Sequence, residues 1–235
     1  MGVLIQGFYT AQEAAHLIEV GNLARIKGWL EGYRGSSKGP LLHRDFTQRE
    51  KGSVLELSFF DLIEVRFVEF FRSKGVHAST LRSALETARE AFGEKPFATN
   101  LVRFCVSKDK KIYVQETDSP IATKQEDPHL WNLASRQHEI GVFMQSMIEG
   151  SLSFDKKSRL VKKWKPRNKE FPEVFIDPLI AFGRPVVKSG ITTSALYSMW
   201  KSENGDYDAV RDWFDISLSE AQQGINFEAL IQSNK

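Results

Sequence analysis

Acid–base, nucleophilic and metal chemistry in proteins rests mostly on histidine, cysteine and clustered carboxylates, and in this 235-residue chain those residues are scattered. The five histidines, His16, His43, His77, His129 and His138, lie far apart and show no ligand spacing of the H-E-x-x-H kind. His129 stands near Asp127 and His138 beside Glu139, but adjacent side chains on a helix point apart, so neither pair forms an acid–base unit. The single cysteine, Cys105, falls in a stretch that alternates like a strand, where cysteine is a small buried hydrophobe. Asp and Glu form no local cluster that would hold magnesium, and Gly-rich phosphate loops are missing. The expectation is a protein that is not an enzyme and carries no cofactor or metal. Metal-dependent cleavage of nucleic acid would need carboxylates that folding gathers from distant positions.

The chemistry these residues do offer is neutralisation of phosphate or carboxylate by lysine and arginine. Net charge is only +2, yet it is spread unevenly. Residues 155–170 hold eight basic residues against two acidic, and residues 203–235 hold seven acidic against two basic. A chain with a basic middle and an acidic end does not turn every surface to nucleic acid. In the middle, Lys162, Lys163 and Lys165 surround Trp164, an alternation that suits a nucleic-acid backbone, an acidic protein site or a solvated strand edge. The acidic tail repels phosphate, so a protein partner or a dimer contact is expected there, with Trp213 as the candidate anchor.

The elements that must position these residues follow from pattern. With 41% apolar residues, 26% charged and 8 Pro, the chain is an ordinary folded one, and disordered and collagen-like classes are excluded. One cysteine excludes an internal disulfide. No apolar run approaches the roughly 18 residues that span a bilayer, and the first residues lack a basic, cleavable leader, so a cytoplasmic protein is expected. Thr10 with Glu13 reads as a capping box opening a helix that stops near Gly21. Asn22 caps a second helix in which Leu23, Ile26, Trp29 and Leu30 form the buried stripe, leaving Arg25 and Lys27 outward. Two such helices joined by a glycine turn form a DNA-reading pair. Residues 33–40, with Arg34 and Lys38, then Arg44, read as a basic wing. A buried helix over residues 57–74 follows, then one capped by Ser79 in which Thr80 and Arg82 open toward a phosphate. Residues 101–106 and 111–116 alternate as a hairpin, residues 117–128 read as a linker, residues 136–148 as a helix, and residues 152–164 as paired strands. Near the end, Thr193 or Ser194, Asp206, and Ser217 or Ser219 cap three short helices.

The string Tyr9-Thr10-Ala11-Gln12-Glu13-Ala14-Ala15, then Arg25-Ile26-Lys27-Gly28-Trp29-Leu30, then Val76-His77-Ala78-Ser79-Thr80-Leu81-Arg82, resembles the winged helix of MerR-like regulators. The long dimer helix and effector domain of a typical MerR regulator do not follow it, so induction by a metal or drug is not implied. The tail, with Ile176-Asp177-Pro178, Gly183-Arg184-Pro185-Val186-Val187, Tyr207-Asp208-Ala209-Val210 and Ile216-Ser217-Leu218-Ser219-Glu220-Ala221, resembles a small bacterial antitoxin-type domain first described only as a domain of unknown function. After the Val-Val pair that family usually continues with Gly-Thr-Arg or Gly-Thr-Gly, where this chain has Lys188-Ser189-Gly190-Ile191.

Head and tail together resemble the longer VapB-type antitoxins encoded beside a PIN-like ribonuclease toxin. The resemblance implies a mainly α fold with small β-hairpins: an N-terminal winged helix-turn-helix over residues 1–118, a linker and connecting helix over 119–150, and a homeodomain-like helical domain over 151–235. It further implies a dimeric autorepressor that binds operator DNA and neutralises the ribonuclease by covering its acidic site, while charge and the helix pattern make Asn22, Arg25, Lys27, Arg34, Lys38, Arg44, Thr80 and Arg82 the candidates for DNA contact. Charge makes Lys162, Lys163, Lys165 and Arg184 the candidates for the ribonuclease contact. The alternative is a DNA-binding transcriptional regulator with no toxin, in which the tail only dimerises.

Overall fold

In the computed structural model the described residues are 7–20, 22–35, 37–46, 54–100, 102–116, 130–132, 137–139, 144–146 and 151–233. Among them the protein is mainly helical, with its β structure in antiparallel pairings. Strand β1 (Tyr9–Thr10) runs into helix α1 (Ala11–Leu17), closed by the expected capping box, and Asn22 caps α2 (Leu23–Glu31) through the Ala24 amide. Strand β2 (Glu56–Leu57) pairs with β1 and leads into α3 (Phe59–Ser73). This helix turns Phe59, Leu62, Ile63, Phe67, Val68 and Phe71 inward, where Phe67 stacks on Phe97 and Phe97 meets Phe104 edge-on. Helix α4 (Ala78–Phe92) begins two residues earlier than a Ser79 cap would place it: its N-cap is His77, whose side chain makes no capping bond, so Ser79 lies inside the first turn.

Strands β3 (Val102–Ser107) and β4 (Ile112–Glu116) form the expected hairpin, with Cys105 buried opposite Tyr113. The sheet is larger than a hairpin. Strands β5 (Leu130–Asn132), β6 (Gln137–Glu139) and β7 (Met144–Ser146) extend it to five antiparallel strands in the order β6-β5-β4-β3-β7. The described part of residues 136–148 is therefore strand, not the connecting helix that its spacing indicates, because pairing with β3 and β5 overrides local propensity. The linker at 117–128 lies outside the described residues.

Strands β8 (Leu152–Phe154) and β9 (Val161–Trp164) carry the basic run. Single bridges continue from Trp164 to Ile176, Phe175 to Val186 and Val186 to Thr192, and lead the chain into three helices: α5 (Thr193–Ser202), α6 (Tyr207–Phe214) and α7 (Leu218–Ser233). The caps of α6 and α7 are Asp206 and Ser217, as expected, whereas α5 is capped by Thr192, one residue before Thr193 and two before Ser194. Gly224 lets α7 lie tight on its neighbours, since a Cβ there would stand 2.6 Å from Leu196 and 2.8 Å from Val187.

The tail is joined to the front of the molecule by polar ties. The Tyr9 hydroxyl donates to the Gly183 carbonyl at 2.7 Å, Arg167 pairs with Glu19 at 3.0 Å, and Arg159 donates to Asn100 at 2.7 Å. In the first turn of α3, Asp61 is fully buried and accepts the Ser58 and Asp45 amides and the Lys95 ammonium.

Candidate functional site

The residues expected to meet DNA fall into two groups. Lys27 on α2 and Arg34 and Lys38 on the following loop are exposed. Lys38, although exposed, is not without a partner, and Asn22, Arg25 and Arg82 are engaged within the fold. Asn22 spends its side-chain oxygen on the α2 cap. Arg25 reaches across to Glu69 of α3 at 3.0 Å and lies over the Trp29 ring. Arg82 donates to the carbonyls of Gly39 and Pro40, so it fastens the loop after α2 onto α4. Thr80 stands half-buried in the first turn of α4, and Arg44 is half-buried beyond the loop. The described residues between α2 and β2 contain turns and bends, and β2 pairs with β1.

The basic segment divides in the same way. Lys163 places its ammonium 3.7 Å from the Phe175 ring centroid, and Lys165 donates to the Pro172 carbonyl. Arg159 and Arg167 are two of the ties described above. Lys156, Lys157, Lys162 and Lys169 remain exposed, so half of the positive charge holds the fold together and half faces water. Trp213 is 72% exposed on α6, among Asp208, Asp212 and Asp215. Asp208 and Asp212 both pair with Arg211.

Arg184 lies apart from the lysines. It lines a cleft of about 500 Å³ formed by β1, α1, the turn before Arg184, and the facing sides of α5 and α7. The apolar lining includes Phe8, Tyr9, Leu17, Phe182 and Ile231, and the polar lining includes His16, Thr193, Ser194 and Gln232. Two carboxylates also border it, and both are already engaged. Glu13 accepts from the amide and hydroxyl of Thr10, and Glu228 accepts from Thr193 at 2.7 Å and Gln232 at 3.0 Å. Tyr9, one of the lining residues, is held by its bond to the Gly183 carbonyl, and burial pushes its phenol far up, so it stays protonated and donating. Ala181, Phe182 and Gly183 occupy the left-handed region in succession, at φ 47°, 55° and 79°. For two side-chain-bearing residues that costs on the order of 1 kcal/mol each, and such strain gathers at functional sites. Its result is Phe182 held 77% exposed at the mouth of the cleft. Sequence reasoning reached Arg184 but not the cleft, because its walls are contributed by segments more than 160 residues apart.

No group of three or more His, Cys, Asp or Glu that could hold a metal occurs among the described residues, and no helix among them is long and apolar enough to cross a membrane.

A mainly helical chain of this layout, with its antiparallel sheet and terminal three-helix unit, matches no family model and no curated protein. Among solved structures it is similar to the crystal structure of Rv2018 from Mycobacterium tuberculosis, with a TM-score of 0.61 and 17% identity over 92% of this chain and 96% of that one. The likeness is one of fold.

Proposed function

We propose that this chain is the antitoxin of a type II toxin–antitoxin pair, a non-catalytic dimer that represses its operon by binding operator DNA and neutralises a PIN-like ribonuclease. The observation that carries the reading is the capped α1–α2 pair, with Lys27 on its second helix and Arg34 and Lys38 on the loop after it, all turned to water. A cation on such a helix can reach a groove, and cations on the adjacent loop can track the flanking phosphates. The exposed lysines of the β8–β9 segment, Lys162 foremost, supply charge suited to an acidic, metal-binding ribonuclease site.

One observation favours the alternative, a regulator without a toxin: Lys163 and Lys165, two of the three lysines assigned to the toxin, are committed to Phe175 and Pro172 of their own chain. Inhibition of a ribonuclease encoded in the adjacent reading frame, compared between wild type and Lys162→Glu, separates the two.

The DNA reading is tested by electrophoretic shift on the chain's own promoter fragment against an unrelated one across a salt series. Lys27→Ala/Arg34→Ala removes two exposed cations per protomer, four per dimer, so the slope of log K against log salt becomes shallower by about 4. Selective binding with an unchanged slope in the variant, or no selective binding at any salt, would remove this face as the DNA reader. Arg25→Ala is a poorer probe, because it also strips Glu69 of its partner.

A further inference from the structure

We propose that the cleft between α1 and the α5–α7 unit is a binding site for a small apolar carboxylate, a ligand with an aromatic or aliphatic body and one acidic group. Three observations converge on it. Its volume, about 500 Å³, lies within the range of small-molecule sites, and its lining is the usual mixture of apolar walls and a few polar groups. Its charges are unequal in availability. The carboxylates of Glu13 and Glu228 already accept two hydrogen bonds each, whereas the Arg184 guanidinium is exposed and makes no hydrogen bond or ion pair. The Arg184 donors are therefore open to a ligand, and a guanidinium donates to a carboxylate in bidentate geometry. Residues Thr193 and Ser194, which open α5, line the same cleft, where the helix dipole favours negative charge.

The third observation selects the ligand's body. Phe182 stands at the mouth on strained backbone, and Phe8, 58% exposed, is held by stacking on Phe46 at 5.1 Å. Two exposed rings thus line one cleft and offer apolar surface that a ligand body would bury.

The site contains none of Lys27, Arg34, Lys38 and Lys162, on which the proposed function rests, so it stands or falls separately. Isothermal titration or ligand-observed NMR on the full chain, with indole-3-acetate, phenylacetate and octanoate as probes, reads it directly. The neutral phenylacetamide and the cationic phenethylamine serve as controls. The expected result is saturable 1:1 binding of at least one carboxylate with a Kd of about 1 mM or below, the range set by ligand efficiency for probes of this size. The amide and amine should bind at least tenfold more weakly. Arg184→Gln should weaken the carboxylate about tenfold without moving the melting temperature, since the side chain has no partner to lose, and Phe182→Ala should weaken it independently. Absence of saturable binding by all three carboxylates, preference for the amine, or undiminished binding to Arg184→Gln would each overturn the proposal.

Discussion

Glu64 faces the interior of α3 at 1% exposure, its Oε1 accepting the Phe97 amide at 2.8 Å. Burial pushes its carboxyl up to about 8, and Asp61 adds to the rise, while Lys95, the Phe97 amide and Arg89 oppose it. The folded protein therefore keeps a proton at neutral pH that the unfolded chain, with an ordinary glutamate near 4.5, has released. A native state that binds the extra proton loses stability as pH rises. Glu64's contribution is full below about pH 4.5 and gone once pH passes about 8, and between them it falls by about 1.4 kcal/mol per pH unit. From pH 5.5 to 7.5 that amounts to about 3 kcal/mol. Glu64→Gln keeps the shape and the acceptor for Phe97 but does not titrate. Urea unfolding of both proteins at pH 5.5, 6.5, 7.5 and 8.5 isolates the effect as a difference of differences. Wild type should lose about 3 kcal/mol relative to the variant over the first two units and then level off. A difference between the two proteins that stays constant across the series would refute the buried, protonated Glu64.

The Tyr9–Gly183 bond gives a second expectation. Tyr9→Phe leaves a buried carbonyl unpaired and should cost about 1–2 kcal/mol in urea unfolding. Gly183→Ala should cost more, because its Cβ would stand 2.3 Å from the Tyr9 hydroxyl at a φ of +79°. Asp61→Asn removes the charge that pairs with Lys95 in a dry site and should lower the unfolding free energy by about 3 kcal/mol. Phe182→Gly should do the opposite, raising stability by up to about 1 kcal/mol as left-handed strain is relieved, measurable as a higher melting temperature.

What could be read in the chain beforehand follows the range of the interactions. Thr10 with Glu13, Asn22 and Asp206 are visible because a cap is decided within three or four residues. The central helix is visible because its phenylalanines recur at helical spacing, and β3–β4 because a short turn joins two alternating runs. Ile140, Phe143, Met144, Met147 and Ile148 also recur at helical spacing, yet Met144, Gln145 and Ser146 pair with β3, some 40 residues earlier. A pairing that distant leaves no mark in a local window. The charged residues show the same limit. Their types are plain, but whether Arg25 or Arg82 is free for phosphate depends on Glu69 and on the Gly39 and Pro40 carbonyls, over 40 residues away. Nothing about Ala181-Phe182-Gly183 announces three left-handed residues, and the bond from Tyr9 to the Gly183 carbonyl comes from far outside any local window.

That tyrosine's bond spans 174 residues of chain, which gives the fold an order in time. A ribosome adding 5–20 residues per second delivers Gly183 roughly 10 to 35 s after Tyr9 has been made. Through that interval β1, α1 and α2 are present without the tail that later ties to them. Helices form in microseconds, so the delay is one of synthesis rather than of local folding. A chain stopped short of residue 183 would hold the amino-terminal elements in this unfinished state for its whole lifetime, which makes the carboxyl-terminal unit the step that closes the molecule.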